Sequence, residues 1–173
     1  MLSGCIGECE TSTTHVSDPV SVGPITPDER LYRAAFSPTN ANASSGRLKA
    51  SYIRRRDLWA GELSVWRVNS DGTVGRDDVE GPYKFAPPAK ADVCAVHYTE
   101  AGRVEALRAE GVDGKLFCVI DDVVAGDDGD KHPRHAAIAL CRKLKGQIGD
   151  ASSPHMDLLI DVLRTEFQQN TAI

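Results

Sequence analysis

Thirty residues, Lys115 to Leu144, constrain this chain more than any other stretch: KLFCVIDDVVAGDDGDKHPRHAAIALCRKL. Leu116 to Ile120 form the densest apolar run, and Asp121, Asp122, Asp127, Asp128 and Asp130 follow it. His132 and His135 then flank Pro133 and Arg134, and a second apolar run extends from Ala136 to Leu140. Apolar runs of strand length bounded by charge and glycine read as buried strands joined by an acidic, solvated loop. The returning strand presents His132, Arg134 and His135 at its start.

The neighbouring segments supply the rest of an α/β pattern. Val93 to Tyr98 reads as a strand, Thr99 as the cap of a helix reaching Arg108, and Gly111 as its C-terminal glycine. With Leu116 to Val124 this makes a strand, helix and strand within about thirty residues, the form of a βαβ unit with parallel strands. The helix is short, so an antiparallel arrangement stays open. His135 to Cys141 is a further strand. Ser153 as N-cap and Pro154 at the first helical position begin an amphipathic helix, with Met156, Leu159, Ile160, Leu163 and Phe167 in one buried stripe.

In the first half, Arg30 to Phe36 reads as a strand with Leu31 inward and Arg33 outward, and Trp59 to Val68 as another. Ser37 to Gly46 is a loop, and periodicity does not decide between helix and strand for Arg47 to Arg56. Asp71-Gly72 is a turn, and Gly81 to Pro88 a connecting loop. Residues 1 to 27, rich in Ser, Thr, Gly and Pro, read as an extended arm. The expectation is an arm followed by a single domain over residues 28–173. Its fold class is α/β, with α+β open: one mixed sheet, a short crossover helix, and a C-terminal amphipathic helix packed on it.

A net charge of -5 argues against broad non-specific nucleic-acid binding, which needs cations to displace counterions. Cys5, Cys9, Cys94, Cys118 and Cys141 form an odd set without framework spacing, and the last three sit in apolar runs. That pattern points to buried thiols in a reducing cytosol, hence a cytoplasmic protein. Leu2-Ser3-Gly4-Cys5 matches the residues preceding a lipid-modified cysteine, but no charged and apolar leader precedes it, so the match reads as chance. Cys5 and Cys9, with His15, fall short of a zinc ligand set.

Two groups of residues suggest chemistry. The aspartates with His132 and His135 are a transition-metal donor set, but their spacing fits neither a zinc motif nor a calcium loop. A solvated hairpin loop is the plainer reading, and no metal is expected. Arg33, Arg47, Arg54, Arg55, Arg56 and Arg67, interleaved with Tyr52, Trp59 and Trp66, could line an anion pocket for a nucleotide or a nucleic-acid phosphate. An ordinary basic face meeting an acidic protein partner is the alternative. Positive side chains would then gather on the front of the sheet, with negative ones on the hairpin behind.

At Leu31-Tyr32-Arg33, Ser44-Ser45, Leu63-Ser64-Val65 and Pro133-Arg134-His135-Ala136 the chain resembles a group of small uncharacterised bacterial proteins. Its Arg47-Leu48-Lys49 departs from the apolar pair expected after the serines. The same opening resembles RES-type toxins and other ADP-ribosyltransferase-like folds, which degrade or use NAD. That resemblance implies Arg33 on the dinucleotide, Gly46-Arg47-Leu48 as a partial match to a G-G-R-W segment, Tyr52 stacking, and Glu62 polarising the ribose. Two functions are therefore expected. The first is a small adaptor or subunit of a multi-component system, binding through Arg33, Arg47, Arg54, Arg55, Trp66, Arg67, His132 and His135. The alternative is an NAD-consuming enzyme using Arg33, Tyr52 and Glu62.

Overall fold

The structure is a computed structural model, and it describes residues 2–5, 23–42, 44–67, 92–125, 131–132 and 134–169. Its elements begin with β1 (Leu2–Ser3), β2 (Arg30–Ser37), a 3-10 turn (Ala50–Tyr52), α1 (Arg55–Ala60) and β3 (Leu63–Arg67). Next come β4 (Asp92–Glu100), α2 (Ala101–Ala106), β5 (Val112–Asp113), β6 (Phe117–Asp121) and β7 (Val124–Ala125). The last are β8 (Lys131–His132), β9 (His135–Leu140), α3 (Arg142–Ile148), α4 (His155–Glu166) and β10 (Gln168–Gln169).

Mixed helices and strands give the expected α/β class, but the sheet differs in detail. Six strands pair in the order β10-β4-β2-β3-β9-β6, and every neighbouring pair is antiparallel. Parallel pairing occurs between β1 and β5, Leu2 opposite Val112. The strands flanking α2 do run the same way, as a crossover unit requires, yet β2, β3 and β9 lie between them. A short helix thus joins two strands that never touch.

Both faces of the central strands are buried. Leu31 and Ala35 on β2, Leu63 and Val65 on β3, Ile138 on β9 and Phe117 on β6 join one core with Val104 of α2, Leu144 of α3 and the stripe Met156, Leu159, Ile160 and Leu163 of α4. The alternate residues of β2, Tyr32, Ala34 and Phe36, form a second cluster with Trp66 and Val96. Arg33, read as outward, is buried because side chains alternate along a strand: two residues from Leu31, it shares the core face of Leu31 and Ala35.

Local boundaries shift for physical reasons. Trp59 ends in α1, because Gly61 takes a left-handed φ of 80° and donates its N–H to the Asp57 and Leu58 carbonyls, closing the helix before β3. Segment 47–56 splits between a turn and a six-residue helix, too short to show a period. Thr99 stays in β4 opposite Leu31, and Glu100 rather than Thr99 takes the N-cap position of α2. The turn at 71–72, the loop at 81–88, His15, and Asp127, Asp128 and Asp130 lie outside the described residues.

The cysteine expectation is corrected. Cys5 and Cys141 form a disulfide across 136 residues of sequence, and Cys118 is disulfide-bonded as well. The missing framework spacing was a poor guide, since disulfide partners are chosen by proximity in the fold. Closing a loop this long contributes on the order of 4–5 kcal/mol in a chain-entropy treatment. The bond also occupies the Cys5 sulfur that a lipid thioether would need. No helix among the described residues is long and apolar enough to cross a membrane.

The stripe on α4 gives a direct test. Leu163→Ala, at a site with no exposed surface, should cost about 2–5 kcal/mol in urea unfolding. Leu158→Ala on the same helix, at 42% exposure, should stay within about 0.5 kcal/mol of the parent.

Candidate functional site

The arginines do not gather on one face. Arg67, the last residue of β3, is buried and uses all five of its N–H donors. Nε donates to Glu29 Oε1 at 2.6 Å, and Nη2 to Glu29 Oε2 at 3.1 Å and the Pro24 carbonyl at 3.2 Å. Nη1 donates to the Gly23 carbonyl at 2.6 Å and to Asp121 Oδ1 at 2.9 Å. Burial alone would lower its proton affinity, but the bonds to Glu29 and Asp121 outweigh that and raise its pKa. Arg67 therefore has no donor left for a ligand, and it pairs directly with an aspartate of the acidic segment. This corrects the expected separation of positive and negative faces.

Arg33 and Tyr52 do meet, inside the protein. The guanidinium lies 5.5 Å from the Tyr52 ring centroid, and Nη1 donates to the Ser64 carbonyl at 2.6 Å. The Tyr52 hydroxyl donates to the Arg33 carbonyl at 3.2 Å, and Phe167 packs edge-on at 5.4 Å. Across the register from Arg33 stands His97, 5.7 Å from the Tyr52 ring. Burial drives the His97 pKa down to about 4, so it is neutral at pH 7, and among the described residues its Nδ1 has no hydrogen-bond partner. Glu62 is exposed, and among the described residues no bond joins it to Arg33 or Tyr52. Tyr52 has no exposed surface on which a nicotinamide or adenine could stack.

On the opposite face of the sheet His135, also buried, donates Nδ1–H to the Asp122 carbonyl at 2.5 Å, with Asp122 Oδ2 3.4 Å away. A carbonyl can only accept, so this bond fixes the tautomer. Trp66 meets the imidazole edge-on at 5.0 Å. Both residues, read as binding groups, thus pack against each other in the interior. Of His132 the backbone alone is described, paired with Val124. Among the described residues no group of three His, Cys, Asp or Glu side chains gathers as a metal-ligand set.

A concave surface opens elsewhere. A groove of about 440 Å³ runs between the 50–55 segment and α4, lined by Ala50, Ser51, Ile53, Arg54, Arg55, Asp157, Ile160 and Asp161. Ile53 and Ile160, nearly fully buried, line its floor with their edges. Arg55 brackets its end, donating to the carbonyls of Ala151, Ser152 and Ser153 and pairing with Asp157. Arg54, held by Asp57 at 2.8 Å, stands mostly exposed on one rim, with Asp157 and Asp161 exposed on the other. Arg47 is exposed on the turn following Asn42.

The sequence reading thus named Arg54 and Arg55 but missed the apolar floor and acidic rim. Asp157 and Asp161 were legible as an i, i+4 pair on the polar side of the α4 stripe. Nothing local in the sequence announced that the 50–55 segment would lie against them. Comparison with known protein families, with curated proteins and with solved structures returns no match.

Two measurements test the interior groups. Arg67→Met removes the cation bonded to Glu29 and Asp121 and should cost about 3–5 kcal/mol, far more than Arg47→Met at an exposed site. For His97 the folded pKa lies below that of the unfolded chain, so the unfolded state binds the extra proton. Stability should then fall as pH drops from 6.5 toward 4, by at most about 3 kcal/mol, with His97→Gln lacking that component in pH-dependent denaturation.

Proposed function

We propose that this chain is a binding subunit: a small adaptor in a bacterial multi-component system that seats a segment of a protein partner between the 50–55 segment and α4. One observation carries the reading. The groove is lined by the edges of Ile53 and Ile160, 1% and 5% exposed, beside the exposed Ala50 and Ser51, with a basic rim at Arg54 and an acidic rim at Asp157 and Asp161. Such a surface suits a peptide segment with one apolar anchor flanked by charges of opposite sign, the apolar contact supplying affinity and the rims fixing direction. Rim charges of both signs favour a protein over a nucleic-acid phosphate backbone, which Asp157 and Asp161 would repel.

A second reading, an NAD-consuming enzyme using Arg33, Tyr52 and Glu62, is favoured by the stacking of Arg33 on Tyr52. The burial of that pair, and an exposed Glu62 with no bond to it among the described residues, weigh against it. The Cys5–Cys141 disulfide and the bonded Cys118 weigh against a cytoplasmic location, since disulfides persist mainly in oxidising compartments.

A photo-reactive amino acid at Ser51 should cross-link one protein partner in the native cell, while the same group at Lys143 should not. Combining Arg54→Glu with Asp161→Lys should reduce that product at least about tenfold, since each like-charge contact costs kcal/mol. Equal labelling from both positions, or indifference to the charge reversal, would reject the groove as the docking site. Release of nicotinamide from NAD by the purified chain would move the assignment to the enzyme.

A further inference from the structure

Arg33 and Arg67 are buried on the same face of the sheet, and the fold provides for them unequally. Arg67 meets two carboxylates and spends every donor it has. Among the described residues Arg33 has no carboxylate within ion-pair distance. Its Nη1 donates to the Ser64 carbonyl at 2.6 Å, and its Nη2 reaches the Tyr52 carbonyl only at 3.5 Å. Its buried Nε has no partner there at all. A guanidinium keeps its charge at any pH a protein meets, so Arg33 cannot answer burial by losing a proton. A buried cation calls for a counter-charge.

The unspent donors lie where recognition would use them. Nε and Nη2 form the edge of a guanidinium that a carboxylate or phosphate group grips with two parallel bonds. Directly across the strand pair stands His97, whose buried Nδ1 is also without a partner among the described residues. Residues opposed in this way hold their Cβ atoms about 5 Å apart, so one acid group can touch both side chains.

The neighbours supply room and an approach. Next along the same face Ala35 is paired with Ala95, so two methyl groups flank the position, and Ala95 is partly exposed. On the other side of His97 comes Gln169, with Gly46 packed against its side chain. That contact brings Arg47, which is exposed, to the rim. The Thr99 hydroxyl, also unpartnered, lies apart: it lines a space of about 30 Å³ with Glu100 and Glu166, which would repel an anion.

We propose that Arg33 and His97 bind the oxyanion group of a small acid, a carboxylate or a phosphate, between β2, β4 and the 46–52 segment. The free edge of Arg33 takes two oxygens, and Nδ1–H of His97 donates to one of them. Tyr52 stands 5.5 Å from the guanidinium and 5.7 Å from the imidazole, which limits the ligand's size and leaves no face for a ring to stack on. The site is separate from the groove beside α4 and does not rest on that reading.

The test titrates the full-length chain at pH 7 and constant ionic strength with inorganic phosphate and, separately, with acetate. Calorimetry follows binding, and NMR follows the histidine rings, the His97 signal being the one lost in His97→Gln. We expect saturable binding of at least one anion with movement of the His97 signal, and the anion that binds identifies the acid group. Arg33→Met should weaken it at least about tenfold, and Arg33→Lys severalfold, because an ammonium has no fork. Arg56→Met, at an exposed site, should bind as the parent does. Stabilisation by salts excluded from the surface neither saturates at low concentration nor requires Arg33. If neither anion binds, or Arg33→Met binds as well as the parent, the proposal is wrong. Should Arg33→Met fail to fold, the parent still decides: a bound anion that leaves the His97 signal unmoved lies elsewhere and overturns it.

Discussion

The middle of the sheet depends on two buried guanidinium groups. Among the described residues, backbone pairing between β2 and β3 covers two positions, Leu31 opposite Arg67 and Tyr32 opposite Trp66. Beyond them, side chains do the joining. Arg33 reaches across from β2 to the Ser64 carbonyl, and at the other end Arg67 draws Glu29 and Asp121 toward β3. Because both faces are dry, neither guanidinium can be left to water, and the surrounding carbonyls and carboxylates are its solvent. The positions of β6 and of the 23–29 segment follow from that requirement.

This explains why the arginines were the least legible residues in the sequence. Arginine presents the same planar fork to a phosphate and to an interior carboxylate, and the sequence does not say which is nearby. The partners of Arg67 stand 38 and 54 residues away. Patterns of short range fared better. The α4 stripe was readable from three- and four-residue spacing, and β2, β4 and β9 from their apolar runs. Strand order was not readable, because the α2 crossover fixes only relative direction. Three strands inserted between β4 and β6 leave that local pattern unchanged.

The candidate groove illustrates the same division. Its acidic rim and much of its floor come from one amphipathic helix, where each residue's role follows from its position in the repeat. The other wall is the irregular 50–55 segment, placed by contacts of Tyr52 with Arg33 and Phe167 rather than by any local signal. The NAD-type reading rested on residue order along the chain. It weakened once burial was known, since a stacking tyrosine must offer a face and Tyr52 offers none.

The interleaved strand order has a consequence for how such a chain is made. Residues 30–67 contribute the two central strands, but these sit between β4 and β9, and β9 begins at residue 135. The helix that covers them, α4, begins at residue 155. During synthesis the early strands therefore emerge without either their flanking partners or their roof. No leading portion encloses a finished interior, so the nascent polypeptide must wait until most of its length has left the ribosome before it can fold. Its exposed apolar strands would meanwhile need shielding by chaperones.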